Sequence, residues 1–330
     1  MTNAKRRAPA DPIDGVLALD KPPGVSSNTA LQQARRLLQA RKAGHTGTLD
    51  PLASGLLPLT FGEATKFSAD LLEADKDYEA QLALGAVTTT GDAEGEVIER
   101  RPVTVSREGL EAALARLLGC QQQVPPMHSA IKRDGRPLYE LARLGLEVER
   151  APRQITISRL QLLRWDRLAP VIEVTCSKGT YVRVLAQDIG TALGCGAHLQ
   201  ALRRTRVGPL RLAQAVTLDQ LQAQDVGQRR AWLLPMDTLL ASLPDAILDA
   251  AAAARFAHGQ RVPREGQCER MRVYGPDGAL MGVARCGGGW LEATRLVAQT
   301  DVPASAGSAA AITTEARQQI AIEHGIEEAS

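Results

Sequence analysis

The sequence predicts an α+β fold, a mixed and mostly antiparallel sheet flanked by helices, followed by a small β-rich C-terminal module. Three observations point there. Short β-forming runs and amphipathic helical runs interleave without the regular βαβ alternation of a parallel sheet. Trp, Tyr and Phe number only 3, 4 and 3 among 330 residues, so aliphatic side chains must fill the interior. Beyond residue 246 the apolar runs become short and glycine-separated. A hydrophobic fraction of 44% and a charged fraction of 23% exclude a disordered or low-complexity chain.

The elements follow in order. Gly15–Asp20 (GVLALD) reads as a strand entering the rigid turn Lys21-Pro22-Pro23-Gly24, after which Ser26 or Ser27 caps a helix reaching Ala40. Asp77–Leu84 and Glu96–Arg100 read as strands, with Thr88–Gly95 as a turn. Ser106 caps a helix over 106–118, where Leu110, Leu114, Leu117 and Leu118 form one apolar face. Residues 124–153 form a Pro- and Gly-punctuated basic insertion carrying Lys132, Arg133, Arg136, Arg143, Arg150 and Arg153, and its length points to a mobile, functional segment. Strands at 154–163 and 171–176 precede a helix from Tyr181 to Ala192. After Pro235 an Ala-rich helix at 250–257 and strands at 271–274, 279–286 and 290–296 define the terminal module. The expected organisation is a flexible basic start at 1–13, a catalytic domain at 14–240, a module at 246–298 and a flexible acidic tail at 301–330.

Several classes of chemistry are disfavoured. The five cysteines include no C-x-x-C pair and are odd in number, which argues against a disulfide framework or structural zinc and for reduced thiols in the cytoplasm. His45, His128, His198, His258 and His324 lack metal-ligand spacing, and neither a nucleophile-elbow nor a phosphate-loop motif occurs near the glycine-rich cluster. No run approaches the ~18 apolar residues of a membrane helix, and Lys5-Arg6-Arg7 is not followed by a signal-peptide core. The formal charge is +2, but residues 301–330 carry −4, so residues 1–300 carry +6, a bias compatible with a polyanionic partner.

Three clusters concentrate the special residues. Gly44-His45-Thr46-Gly47-Thr48-Leu49-Asp50-Pro51 can hold Asp50 rigidly toward a pocket; alternatively Asp50 only caps a helix starting at Pro51. His45 could pair with Asp50 as a hydrolytic dyad or hold the loop together. Ser177–Arg183 lies between a strand and a helix, which places Tyr181 and Arg183 at a sheet edge, or else makes them a core tyrosine and a surface arginine. Ala197–Arg206 reads either as a solvated helix end or as a phosphate-contacting edge, with Arg203 and Arg204 as the contacts.

These clusters, together with Asp20–Gly24, Asp77-Tyr78-Glu79-Ala80 and Gly196-Ala197-His198, resemble in order and spacing the TruB family of bacterial tRNA pseudouridine-55 synthases over residues 14–240. The resemblance implies the pseudouridine synthase fold, Asp50 as the nucleophile, and Arg183 as its ionic partner. It further implies Tyr181 as a candidate general base and a base pocket of His45, Tyr78, Tyr181 and Leu202. Lys21 would support the active-site loop, and the insertion, with Lys132 and Arg133, would close over RNA. The region 246–298 resembles the family's PUA-like RNA-binding domain. His128 stands where the family commonly has Tyr. The implied partner is the tRNA T arm, with no cofactor, metal, membrane or protein partner required and a monomer as the working state. A tRNA-folding factor acting without chemistry is the alternative, and an RNA-guided synthase with protein partners a more distant one.

Overall fold

The computed structural model describes residues 13–129, 131–133 and 135–298, leaving out the side chains of 132, 133, 137 and 143. The expected flexible segments at 1–13 and 301–330 lie outside the described residues, except for Ile13, which is buried in the core.

The first sheet has ten strands: β1 (Gly15–Lys21), β2 (Ala43–His45), β3 (Ser54–Phe61), β4 (Lys76–Leu84), β5 (Gly119–Gln123), β6 (Arg153–Arg164), β7 (Val171–Cys176), β8 (Ala197–Val207), β9 (Leu210–Arg211) and β10 (Val216–Thr217). Their spatial order is β10-β1-β3-β8-β4-β7-β6-β5, with β2 on β3 and β9 on β8. Only β1–β10 and β3–β8 run parallel. The sheet is thus mixed and mostly antiparallel.

Helices cover it where sequence periodicity puts an apolar stripe. In α1 (Ser27–Leu37) Ala30, Leu31 and Ala34 are buried, and the Ser26 hydroxyl caps the helix by accepting from the Thr29 N–H. In α2 (Arg107–Arg116) Leu110 and Leu114 are buried and Ser106 is the cap. Helix α3 (Val182–Ala192) buries Val182, Leu185, Ala186 and Ile189. β4 alternates strictly, with Tyr78, Ala80, Leu82 and Leu84 buried on one face. No described helix is long and apolar enough to cross a membrane.

The second sheet holds β11 (Asp245–Ile247), β12 (Val262–Pro263), β13 (Cys268–Tyr274), β14 (Leu280–Gly287) and β15 (Trp290–Leu296), in the order β11-β13-β14-β15-β12. With α4 (Ala250–Ala257) it encloses its own core around Phe256, Val273 and Leu291. Val283 packs into a cluster with Val16, Leu56, Phe67 and Leu239, and Arg270 pairs with Asp70, so this sheet is seated on the first.

Two expectations need correction. Residues 197–207 are not a helix end but β8, an interior strand paired to both β3 and β4. Asp50 does not cap a helix, since Pro51 and Leu52 form a turn closed by the Ala53 N–H to the Asp50 carbonyl at 3.0 Å.

Candidate active site

A cleft of about 380 Å³ opens beside the centre of the first sheet. Its walls are the Gly47–Asp50 loop, Tyr78 and Lys76 of β4, Tyr181 to Arg183 at the start of α3, and Leu202 and Arg204 of β8. A second cavity of similar volume lies on the second sheet, but its Arg285 and Glu292 are already paired with each other, so convergent chemistry favours the first.

Asp50 is held from several sides. Gly47 takes φ +96°, a left-handed conformation that glycine adopts without strain, and lets the chain turn out of β2. The Ser27 hydroxyl accepts from the Leu49 N–H and donates to the Leu49 carbonyl, both at 2.8 Å, which clamps the residue before Asp50. Behind it, the Lys21 ammonium donates to the Pro22 and Val25 carbonyls at 2.9 and 2.8 Å and so fixes the Pro22–Val25 turn. The Gly24 N–H of that turn donates to the Pro51 carbonyl at 2.8 Å. Burial pushes Lys21 down to about 8, against the upward pull of Asp50.

Asp50 keeps 44% of its side chain exposed, while Arg183 is 5% exposed and aims Nε at Asp50 Oδ2 from 3.0 Å. The rest of the guanidinium is held rigidly. Nη1 donates to the Thr90 carbonyl at 3.2 Å and Nη2 to the His128 carbonyl at 2.7 Å, while Asp92 Oδ2 stands 3.5 Å from Nε. Asp92 is buried and in turn accepts from the Thr90 hydroxyl and the Glu94 N–H. At position 128 the interaction with Arg183 runs through the main chain, so a change of side chain there leaves that bond available.

Tyr78 and Leu202 give the cleft an aromatic and an aliphatic wall. Tyr78 is almost fully buried, and its phenol is pushed up by burial and pulled back by Arg204, the residue directly opposite it on β8. His45 does not line the cleft with these groups; it sits in β2 with Nδ1 buried and without a hydrogen-bond partner, and burial followed by Arg204 lowers its pKa. No ion pair joins it to Asp50 among the described residues, so the hydrolytic dyad is not formed. Tyr181 precedes α3, with its phenol raised mainly by burial while Ser129, Arg153 and Arg183 act in the opposite direction.

Arg204 departs from the surface role expected of it. It is 1% exposed, with Nε donating to the Leu56 carbonyl at 2.7 Å and Nη2 to the Gly47 carbonyl at 3.3 Å. A guanidinium so enclosed holds β3 and the Asp50 loop together rather than reaching RNA phosphate. β3 and β8 approach closely here because residue 55 is glycine: a Cβ would lie 2.3 Å from the Arg204 carbonyl oxygen. Arg203 remains at the surface, paired with Asp20 at 2.7 Å. Lys132 and Arg133 form one strand of a short ribbon with Arg136–Pro137, and their side chains lie outside the described set.

Sequence reasoning missed Ser27, Asp92 and Gln123. Ser27 reads only as a possible helix cap and Asp92 only as part of a turn, and Gln123 draws no reading at all.

Comparisons with known proteins agree along the chain. The N-terminal domain of the TruB family pseudouridylate synthases matches residues 35–182. The tRNA pseudouridylate synthase B C-terminal domain matches 183–241, and the C-terminal domain of pseudouridine synthase II TruB matches 244–297. A tRNA pseudouridine synthase B of Burkholderia lata is 59% identical over 307 residues, covering 90% of this chain and 95% of the relative. One of Cupriavidus metallidurans is 58% identical over 302 residues, covering 88% and 96%. Among solved structures, a chain of a Cbf5-Nop10-Gar1 complex superposes with TM-score 0.66 at 26% identity, covering 86% of this chain and 84% of that one. A chain of an archaeal box H/ACA Nop10-Cbf5 complex gives 0.62 at 26%, covering 89% and 86%.

Proposed function

The chain belongs to the TruB family of pseudouridylate synthases, and from that premise we propose that it isomerises uridine 55 in the T loop of tRNA, using Asp50 as the reacting carboxylate. The general activity, that of a tRNA pseudouridine synthase and hence an isomerase, comes with membership and with relatives 59% identical over most of the chain. The observation that carries the residue assignment is Asp50 itself, a part-exposed carboxylate fixed by a buried guanidinium in the wall of a cleft that also holds two tyrosines.

The reaction breaks the N1–C1′ bond of uridine, turns the base and forms a C5–C1′ bond; C5 loses its proton and N1 gains one. No electron leaves the molecule and no group is added, so the stoichiometry asks for no redox partner. The target must first leave its stack, at about a few kcal/mol. Stacking on Tyr78 returns ~1–3 kcal/mol, and Leu202 supplies an apolar wall beside it.

Attack at the sugar carbon and removal of a sugar proton both call for a carboxylate oxygen directed into the cleft. With Oδ2 engaged by Arg183, Oδ1 is the atom left for that work. Tyr181 receives the C5 proton after rejoining. A phenol is neutral at its ordinary pKa of ~10 and burial raises it further, so Tyr181 takes the C5 proton on oxygen as its own O–H proton leaves to water, while N1 gains its proton from water. The proton is readily lost because its departure restores the conjugated uracil ring. Arg203 and the basic insertion supply sequence-independent attraction to the phosphate backbone.

Release of tritium from C5-tritiated uridine in an unmodified tRNA transcript tests this reading. Wild type is expected to release it, with Asp50→Asn slower by about 10³-fold or more at nearly unchanged tRNA affinity. A transcript lacking the T-loop uridine is expected to release none. Turnover by Asp50→Asn would remove the carboxylate from its role, and release from the altered transcript would remove the site specificity. A wild type that binds tRNA without releasing tritium would instead favour a folding factor.

A further inference from the structure

We propose that Gln123 is a positioning residue for Tyr181, a clamp that joins the catalytic tyrosine to the root of the 124–153 insertion so that the two are placed together. This rests on the reading of Tyr181 given above and deepens it.

Gln123 is the last residue of β5 and is 5% exposed. Its side-chain Oε1 accepts from the Tyr181 N–H at 2.8 Å, and its Nε2 donates to the Tyr181 carbonyl at 3.2 Å. A primary amide thus grips both main-chain polar groups of one residue, as a neighbouring strand would. The grip falls where α3 lacks other support, since Tyr181 occupies the N-cap position and no side chain caps the helix there. The amide is matched to the task. A glutamate offers no donor to the carbonyl, and an asparagine is one methylene shorter.

The place of Gln123 in the sheet gives the clamp its meaning. It pairs with Arg153 across β5 and β6, so the whole insertion leaves and returns at this one register pair. Inside the insertion, Arg150 Nη1 donates to the Pro125 carbonyl at 3.2 Å and ties the two arms together just beyond that pair. A second tether runs to α3, where Arg183 Nη2 holds the His128 carbonyl. The first turn of α3 is therefore bonded to the insertion root at Tyr181 and at Arg183, and Arg183 carries Asp50. Any displacement of the root is delivered to the residue that receives the C5 proton and to the partner of the nucleophile.

The test compares Gln123→Met, which removes both bonds at similar volume, with Gln123→Glu, which keeps only the acceptor; Gln123→Glu decides if Gln123→Met does not fold. Tyr181→Phe serves as the reference. Each is assayed on tRNA transcripts carrying uridine or C5-deuterated uridine. A misplaced proton acceptor slows transfer from C5, so kcat is expected to fall about tenfold or more with KM little changed. The deuterium isotope effect on product formation should exceed that of wild type, most in Gln123→Met and less in Gln123→Glu. Loss of activity with an unchanged isotope effect in both Gln123 variants, while Tyr181→Phe shows a larger one, would overturn the clamp alone. No enlarged isotope effect in Tyr181→Phe would overturn the role of Tyr181 and the clamp with it.

Discussion

Two buried arginines line the cleft and are treated in opposite ways. Arg183 faces two carboxylates, Asp50 at 3.0 Å and Asp92 at 3.5 Å, with carbonyls taking its remaining donors. Arg204, more deeply buried, is held by the carbonyls of Leu56 and Gly47 and interacts with the Tyr78 phenol, with no carboxylate paired to it among the described residues. Its neighbours deepen the contrast. Lys21 and Lys76 are also buried, also bonded to carbonyls, and both pushed down to about 8 by burial with Arg204 adding to the effect. One side is an ion network in which two carboxylates, Asp50 and Asp92, face one guanidinium. The other is a group of buried cations bonded to peptide carbonyls, whose nearby carboxylates, Asp50 for Lys21 and Asp75 and Glu73 for Lys76, pull on them less than burial does. Burying such charge is costly unless it is hydrogen-bonded, and here backbone carbonyls accept from each of these cations.

Exchanging each arginine for lysine breaks or confirms the contrast most directly. Arg183→Lys loses the fork that spans Asp50, Thr90 and His128, and turnover in the tritium assay is expected to fall about 10²-fold or more with tRNA binding retained. Arg204→Lys keeps a cation near carbonyl acceptors and is expected to cost about tenfold. Equal losses would show that the two sides do not differ in kind.

The group of buried cations has its own signature in pH. Lys76 in the folded protein titrates near 8, below its ordinary 10.5, so between these values the unfolded chain binds more protons and stability rises with pH. Denaturant unfolding at pH 8, 9 and 10.5 should show wild type gaining about 2–3 kcal/mol relative to Lys76→Met across that window. A gap that does not move with pH would separate Lys76 from the buried cations. The smallest effect belongs to Arg203, whose pair with Asp20 is partly solvated. Arg203→Gln should change stability by less than about 1 kcal/mol while lowering the salt slope of tRNA binding by about one.

The contrast also explains what could be read from the sequence. β4, the 154–176 hairpin and α3 announce themselves through clean periodicity, and α1 through periodicity and its Ser26 cap. β3 (SGLLPLTF) is buried on nearly every residue, so it shows no alternation, and Pro58 argues against a central strand. β8 carries three arginines and two irregularities in register, after Leu199 and after Arg204, which break the two-residue period and suggest a solvated segment. In the site, Asp50 stood out because glycines and a proline frame it, and the family resemblance marked its companions. Gln123 and Ser27 each bond both main-chain groups of one residue distant in the chain, and Asp92 faces Arg183; no local pattern signals a partner 58 or 22 residues away.

The position of β8 bears on how the protein is made. It is the interior strand between β3 and β4, yet more than a hundred residues of chain lie between it and either neighbour. While the ribosome is still producing the intervening segments, β3 and β4 each offer an unpaired edge, the kind of surface that recruits other strands. The cleft has neither Leu202 nor Arg204 until β8 emerges and slides into the gap. A chain cut short before that point is both inert and adhesive, so for this protein the emergence of β8 both completes the cleft and buries the two open edges.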